Sequence, residues 1–347
     1  MIELLVPDMP TTDDLITYLR CIDENKTYTN NGPLVQELEA KLELITGVPC
    51  VALSNCTVAL ELSIKSIEHC LIPKPPVAII PALTFSATGL AAINAGYDVA
   101  LVDVDFLTWQ LSRELLVDWS NKNFYPLHDI GVVMPVATFG RPVEIKQWEN
   151  LNIPVVIDAA GAFPHQDVSK DPNIATCFSL HATKFIGCGE GGFVASNNPE
   201  LIAKIRSLSN FGENGTNAKM SEYHAAVALV SIDKMYEKFS KTLKTVDLYC
   251  EHGIYEFQGT VPTGLSTTLS VLLPIPASEV MPLMLEAGIE TKQWYMPYLN
   301  YRNDFQNIDL PVTDHLAKHL IGLPFHNFLS GADVKHVCDT LRKILNS

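Results

Sequence analysis

The sequence has no long apolar run and no leader-like beginning. Its longest apolar stretches have the length of a β-strand and fall far short of the roughly 20 residues that a membrane-spanning helix needs. Residues 1–10 carry neither the basic stretch nor the apolar core of a secretory signal. We therefore expect a cytoplasmic protein without a membrane span.

Basic residues and closely paired cysteines are also scarce. Lys and Arg number 24 against 39 Asp and Glu, for a net charge of -15. This balance argues against a nucleic-acid partner, because nucleic acids require a basic face, although a few local donors can still bind one phosphate. The eight cysteines include no Cys-x-x-Cys pair. They are predicted to be reduced thiols, several of them buried (Cys50, Cys70, Cys177), and not a disulfide framework or a zinc site.

Strands and helices alternate over the first half of the chain. Short apolar runs predict strands at residues 48–53, 77–80, 99–104, 131–137 and 154–157, with helices between them that include a short one at 143–149. Such alternation predicts an α/β protein with a parallel sheet covered on both faces. Ligands of these sheets gather at the carboxyl ends of the strands.

The pattern changes after Ser196. Helices predominate up to residue 251, the clearest at 220–237. The elements beyond are a predicted strand pair and two helices, at residues 259–273, 279–287 and 332–345. We predict a large domain over residues 1–236 and a smaller α+β domain over 237–347, on which the N-terminal segment can pack.

One lysine, Lys184, lies between two apolar strand-like runs. The first run ends at Ser179, and the second begins at Gly192. A buried ammonium is unfavourable, but burial lowers the pKa of lysine and leaves a free amine. Such an amine can form a Schiff base with an aldehyde such as pyridoxal phosphate (PLP). Taken alone, the stretch favours a simpler explanation, a lysine at a strand end that reaches solvent.

Polar and aromatic side chains follow other predicted strands. Asp158 ends one strand, where a carboxylate can keep the nitrogen of a PLP ring protonated, although a helix N-cap explains it equally well. Residues 54–57 open a helix whose free amides suit a phosphate, but an ordinary capped helix explains them better. Phe85 can stack on a flat ring, although core packing is the commoner fate of a phenylalanine.

Two patterns resemble known binding motifs and are rejected. Gly187, Gly189 and Gly192 have the spacing of the dinucleotide fingerprint, but Gly192 opens an apolar strand and not a helix. We interpret these glycines as a tight strand-to-strand turn. His315 and His319 have the spacing of a metal site but lack the accompanying glutamate and a third ligand, so we predict a solvated helix face and no metal.

Taken together, the segments resemble the sugar aminotransferases of the DegT/DnrJ/EryC1/StrS family over nearly the whole chain. The resemblance is carried by Tyr28-Thr-Asn-Asn-Gly-Pro33, Ser54-Asn-Cys-Thr57, Pro81-Ala-Leu-Thr-Phe85, Asp158-Ala-Ala160, Ser179-Leu-His-Ala-Thr-Lys184, Gly215-Thr-Asn-Ala-Lys-Met-Ser-Glu222 and Gly322-Leu-Pro-Phe-His326. It implies PLP fold type I, with a mostly parallel seven-stranded sheet in the large domain. It also implies a homodimer whose active sites lie at the interface.

The resemblance implies a role for each matching residue. Lys184 would form the internal aldimine with PLP and move protons, with pyridoxamine phosphate as an intermediate. Asp158 would pair with the pyridinium nitrogen, and Phe85 would stack on the ring. The residues implied to hold the cofactor phosphate are Cys56 through its backbone, Thr57, Ser179 and, from the neighbouring subunit, Asn217. Asn55 is also implied to bind the cofactor. The residues implied to contact the substrate are His181, Glu190 and Lys219.

Three positions depart from the family pattern. Gly161 stands where Gln or His often lies close to the ring hydroxyl of the cofactor. Ala137 stands where many members have histidine, and Lys219 replaces a frequent arginine and loses its bidentate fork.

The activity implied is transfer of an amino group from L-glutamate to a nucleotide-linked keto sugar, of the dTDP-4-keto-6-deoxyglucose type, for surface polysaccharide or glycoconjugate synthesis. The segment Ser-x-His-Ala-Thr-Lys, followed by Glu190-Gly-Gly192, resembles members that aminate C4. Two alternatives stay open: amination of a 3-keto sugar nucleotide, and a PLP-binding regulatory protein without turnover.

Overall fold

The computed structural model describes residues 1–68, 75–254, 268–296 and 309–347, which form two β-sheets surrounded by helices. Cys70 and most of the strand pair predicted at 259–273 lie outside the described residues. None of the helices in the described ranges combines the length and the apolar composition needed to cross a bilayer.

Seven strands form the larger sheet. They are β1 (Cys50–Leu53), β2 (Val77–Pro81), β3 (Asp98–Val102), β4 (Ile130–Val133), β5 (Val155–Asp158), β6 (Ile174–Ser179) and β7 (Gly192–Ser196). Their order in space is β1-β7-β6-β5-β4-β2-β3, and only β7 runs antiparallel to its neighbours. The predicted mostly parallel, seven-stranded sheet is therefore confirmed.

Helices cover both faces of this sheet. The α-helices of the described residues are α1 (Thr12–Asn25), α2 (Pro33–Thr46), α3 (Cys56–Lys65), α4 (Ser86–Asn94), α5 (Arg113–Lys122), α6 (Pro199–Ser209), α7 (Glu222–Asp233), α8 (Met235–Glu251), α9 (Ala277–Glu286), α10 (Pro311–His319) and α11 (Gly331–Leu345). Successive strand residues point to opposite faces. On β1, Cys50 and Ala52 therefore join the core under α2 and α7, whereas Val51 and Leu53 join the core under α3 and α6. Burial on both faces explains the uninterrupted apolar runs in the sequence.

Three predicted elements differ in extent. The strand predicted at 131–137 stops before Pro135, because proline has no N–H to continue the ladder. The helix predicted at 143–149 is a single 3-10 turn. The helix predicted at 220–237 is divided between α7 and α8. The apolar pattern did not mark this break, because α7 is buried on most sides and so lacks a polar face.

The start of α2 is held by a carboxylate from a distant part of the chain. Gly32, the N-cap residue, has no side chain to satisfy the first helical amides. Glu222, which is 1% exposed at the start of α7, accepts hydrogen bonds from the amides of Leu34 (2.8 Å) and Val35 (3.0 Å) instead. A Cβ atom at position 32 would lie 2.7 Å from Cδ of Glu222, so glycine is needed for this close approach.

We expect Glu222→Gln to lower the free energy of unfolding by about 1–3 kcal/mol, because the amide replaces a buried charged acceptor of two hydrogen bonds. Denaturant unfolding of the purified protein measures the change. Glu200→Gln, at an exposed residue of α6, is the control and should change the value by less than about 0.5 kcal/mol. Equal stability of Glu222→Gln and the wild-type protein would contradict the capping role.

A smaller sheet lies in the C-terminal part of the chain. It consists of the antiparallel strands β8 (Leu269–Leu272), β10 (Leu320–Leu323) and β9 (Lys292–Gln293), with β10 in the middle. The N-terminal segment packs here, because Ile2 pairs with Ile289. The two sheets are joined through Asp103, which follows β3 and accepts hydrogen bonds from the amides of Val312 (2.9 Å) and Thr313 (2.8 Å) at the start of α10.

Candidate active site

The candidate active site lies at the carboxyl ends of β5 and β6, near the centre of the larger sheet. Asp158 is the last residue of β5, Ser179 is the last residue of β6, and the two strands pair in parallel. The chain then turns through Lys184 and returns as β7 from Gly192. The turn brings Lys184 close enough to Asp158 for their charges to interact. Since Gly192 opens a strand, a dinucleotide loop at these glycines is excluded.

The carboxylate of Asp158 is buried and held in a fixed position. Its Oδ2 accepts a hydrogen bond from Oγ1 of Thr88 (2.7 Å), and its Oδ1 accepts one from the amide of Ala160 (3.1 Å). Burial raises the pKa of the Asp158 carboxyl, whereas these two hydrogen bonds and the nearby Lys184 ammonium lower it. Each carboxylate oxygen can accept more than one hydrogen bond, so Asp158 can still accept one from a ligand in the crevice.

Sequence reasoning missed Thr88. This residue lies on α4, and its hydroxyl is 2.9 Å from the hydroxyl of Thr84, so that Thr84 donates to Thr88 and Thr88 donates to Asp158. Both threonines are buried. No local signal marks Thr88, because Thr84 precedes α4 and the contact with Asp158 joins residues 70 positions apart.

We expect Thr88→Val to shift the acid limb of the pH–rate profile upward by about one pH unit, because loss of a hydrogen bond to the carboxylate raises the pKa of Asp158 further. The role that the family resemblance implies for Asp158 requires the carboxylate form, so activity would be lost at a higher pH as the medium is acidified. Turnover across pH measures the shift. Thr84→Val should move the limb in the same direction but less. An unmoved limb in Thr88→Val would contradict the role given to this hydrogen bond.

Lys184 is half-buried beside Asp158 and Cys56. Burial lowers the pKa of the Lys184 amine, and the nearby charge of Asp158 only partly opposes this effect. Burial also raises the pKa of the Cys56 thiol well above its usual value, so this thiol stays protonated. The neutral amine is therefore more accessible here than on a surface lysine, which is the property that a nucleophilic lysine requires.

The start of α3 forms a cradle for an anion. Asn55 is the N-cap, and its side chain accepts a hydrogen bond from the amide of Val58 (2.9 Å). The amides of Cys56 and Thr57 lie in the first turn of the helix, where no helical carbonyl accepts from them. They can therefore bind a phosphate. β7 passes directly against this turn, since a Cβ atom at Gly192 would lie 2.6 Å from the Cys56 nitrogen.

Two polar side chains flank Lys184 on the same turn. Nε2 of His181 lies 3.8 Å from Oε1 of Glu190, and its Nδ1 lies 2.9 Å from Oγ1 of Thr183. The amide of His181 donates to Oγ of Ser179 (3.2 Å), which fixes the start of the turn. The structure thus places His181 and Glu190, the two candidate substrate residues of this segment, side by side and exposed to solvent.

Three aromatic side chains meet near the crevice. Phe85 precedes α4 and is 58% exposed, so it is available to a ligand and is not a core residue. Its ring centroid lies 6.4 Å from that of Tyr295, which in turn stacks on Phe139 at 5.4 Å. The nearby charge of Asp158 adds to the effect of burial in raising the pKa of Tyr295. Sequence reasoning missed Tyr295 and Phe139, because only folding brings them to Phe85.

The remaining candidates lie on the segment between α6 and α7. Asn217 is exposed, and its backbone bridges to Asn210. The backbone of Lys219 pairs with Leu53 at the end of β1, and its ammonium lies 4.4 Å above the ring of Phe211. These positions leave Asn217 free to contact a second protomer, and that contact stays a prediction.

Among the positions that depart from the family pattern, Ala137 lies next to Asp158. Its amide donates to the backbone oxygen of Asp158 (2.8 Å), whereas Gly161 follows Ala160 in the turn after β5. The two histidines with metal-like spacing, His315 and His319, stack on each other at 4.5 Å. Within the described ranges, no group of three or more His, Cys, Asp or Glu residues is placed to hold a metal ion.

Comparison with known proteins gives consistent matches across the chain. The sequence profile of the DegT/DnrJ/EryC1/StrS aminotransferase family matches residues 11–342. The dTDP-4-amino-4,6-dideoxy-D-glucose transaminase of Shigella dysenteriae is 27% identical, with 97% of both chains covered. The UDP-2-acetamido-2-deoxy-3-oxo-D-glucuronate aminotransferase of Pseudomonas aeruginosa is 26% identical over 89% of this chain and 90% of its own. A crystal structure from Bacillus cereus, described as a PLP-dependent aminotransferase, has a TM-score of 0.87 and 26% identity, with 98% and 99% of the two chains covered.

Proposed function

Because the chain belongs to the DegT/DnrJ/EryC1/StrS aminotransferase family and is a PLP-dependent sugar-nucleotide transaminase, we propose that it transfers an amino group from L-glutamate to C4 of a dTDP-linked 4-keto-6-deoxy sugar. The observation that carries the proposal is the pair formed by Lys184, whose amine has a lowered pKa, and the buried, hydrogen-bonded Asp158. The substrate class follows the Shigella relative, which acts on a dTDP-linked 4-amino sugar according to its name.

The site fits PLP in three respects. Lys184 supplies a desolvated amine for the aldehyde. Asp158 offers a fixed carboxylate with acceptor capacity left for a protonated ring nitrogen. The start of α3 supplies amides for the phosphate, and the absent side chain of Gly192 leaves room for the turn that carries them.

The reaction divides between the cofactor and the protein. PLP supplies an electron sink for the carbon that gains or loses a proton. Lys184 would bind the cofactor and move that proton, and Asp158 would keep the ring nitrogen protonated. Phe85 would lie against the ring. Ser179, Thr57 and the backbone of Cys56 would hold the phosphate, with Asn55 also in contact with the cofactor. His181 and Glu190 would orient the sugar at the mouth of the site, and Lys219 would attract its diphosphate.

We further propose that the active unit is a homodimer, in which Asn217 of one protomer completes the phosphate site of the other. The large domain, residues 1–236, would carry most of the site, and residues 237–347 would close one side of it. The amino sugar would be made in the cytoplasm for surface polysaccharide or glycoconjugate synthesis.

Incubation with glutamate and a panel of 4-keto and 3-keto sugar nucleotides, followed by NMR of the products, tests the proposal. We expect amination at C4 of a dTDP-linked substrate. Cofactor binding without any spectral response to glutamate would instead support a regulatory protein without turnover. Amination at C3 would support the second candidate, which the Pseudomonas relative favours because its name specifies a 3-oxo sugar.

A further inference from the structure

A narrow cleft lies on the side of the Lys184 turn that faces the C-terminal part of the chain. Four segments line it: residues 5–8, residues 182–185, one side of α8, and residues 325–327 after β10. The space open to water-sized groups is about 60 Å³, enough for a few water molecules or one small charged group.

The cleft contains a buried lysine that the proposed reaction does not yet use. Lys238, on α8, is 4% exposed, and its ammonium donates a hydrogen bond to the backbone oxygen of Asp8. Among the described residues it has no carboxylate partner at ion-pair distance. The neighbouring lysines of this region differ, because Lys234 pairs with Asp14 at 2.5 Å and Lys241 with Glu237 at 2.8 Å.

A buried ammonium with one neutral acceptor is unfavourable, because it has lost its hydration and has two donors left over. Burial accordingly lowers the pKa of Lys238, and the negative charge of Asp8 opposes this only in part. The carboxylate of Asp8 is engaged elsewhere, since its Oδ2 accepts a hydrogen bond from the side-chain Nδ2 of Asn327 (2.9 Å). The hydroxyl of Thr242 donates to Oδ1 of Asn327 (2.8 Å) and so holds this side chain in its orientation.

We propose that this cleft binds a carboxylate group of the amino-acid donor, with Lys238 as its counter-ion. The inference rests on the proposed function, since it assigns the donor half of the same site. Lys184 and Lys238 line one cleft, so we place the reacting amino group of the donor at Lys184 and its carboxylate at Lys238. A carboxylate also supplies the anionic acceptor that the buried ammonium lacks in the described chain.

The test uses Lys238→Met, which keeps the apolar stem and removes the charge. Removal of a buried charge that has no ion-pair partner in the described chain is expected to cost little stability, and the melting temperature without glutarate checks this. Lys241→Met, one turn away on the exposed side of α8 and paired with Glu237, is the matched control. Two measurements apply to the PLP-loaded proteins. The first is the rise in melting temperature on addition of glutarate, a dicarboxylate that has no amino group to transfer. The second is the glutamate concentration for half-maximal change of the cofactor absorbance.

We expect glutarate to stabilise the wild-type protein and Lys241→Met, but not Lys238→Met. The half-maximal glutamate concentration should rise at least about 30-fold in Lys238→Met. The reaction of the keto sugar with protein loaded with pyridoxamine phosphate should change less than about twofold. Wild-type behaviour of Lys238→Met towards glutarate and glutamate would overturn the inference, as would equal losses in the donor and sugar reactions.

Two comparisons sharpen the result. If Lys238→Met reacts more weakly with glutamate but normally with glutamine, the side-chain carboxylate of the donor binds Lys238. If its reactions with both donors weaken equally, the α-carboxylate binds there. Either pattern supports the inference. A wild-type protein that aminates no sugar nucleotide would refute the proposed function, and the glutarate measurement would still decide whether the cleft binds a carboxylate.

Discussion

Lys184→Ala is expected to lower transaminase turnover by about 10⁴-fold. The variant lacks the amine that we propose binds PLP covalently and moves the proton. The lowered pKa of Lys184 supports both roles, because a neutral amine is required for attack on the aldehyde and for proton removal. The purified variant should also lack the visible absorbance of covalently bound PLP.

Lys204→Ala is the control for this result. Lys204 is paired with Glu68 on the surface at 3.0 Å, so its removal should leave turnover and absorbance unchanged. The melting temperatures of both variants identify any general loss of folding. If Lys184→Ala retained the cofactor absorbance of the wild-type protein, another amine would have to bind PLP and the assignment of Lys184 would be wrong.

Asp158→Asn is expected to lower turnover by about 10²- to 10³-fold while the protein still binds PLP covalently. Asparagine can occupy the same space between Thr88 and Ala160, but it carries no negative charge to keep the ring nitrogen protonated. The expected signature is therefore a normal cofactor absorbance with slow conversion by glutamate, measured in single-turnover experiments. This signature distinguishes Asp158→Asn from Lys184→Ala.

Asp118→Asn provides the control for the second prediction, because Asp118 is an exposed residue of α5. It should react at the wild-type rate. Near-normal turnover of Asp158→Asn would contradict the assignment of this carboxylate to the ring nitrogen. Asp158→Asn removes the charge of this carboxylate, whereas Thr88→Val is expected to raise its pKa. Comparison of the two variants therefore separates these effects.

The positions of the main candidate residues could be predicted because the local pattern marks the strand ends, although their roles came only from the family resemblance. Each of Asp158 and Ser179 ends an apolar strand, and Lys184 follows in a glycine-rich turn. Parallel strands place their carboxyl ends at one edge of the sheet, so the sequence pattern alone brings these residues to a common crevice. The family resemblance then ordered them into a cofactor site, and the match over residues 11–342 confirms the family.

Other groups escaped prediction because their partners are far apart in the chain. Thr88 and Asp158 are 70 residues apart, and nothing local distinguishes this threonine from others on buried helices. Lys238 looked like one of several lysines on an amphipathic helix until its burial against Asp8, 230 residues away, became visible. Tyr295 reaches Phe85 only because the smaller sheet packs against the larger one.

The sequence by itself therefore determined the alternating strands, the strand-end residues of the crevice and the family, since all of these depend on short-range periodicity and on the order of local segments. Only the tertiary structure decided which side chains are desolvated, which carboxylates are held by hydrogen bonds, and which buried cation has no carboxylate partner in the described chain. The physical reason is that pKa values and charge compensation depend on burial and on contacts a few ångströms long. Such contacts join residues whose separation in the sequence carries no information about their distance in space.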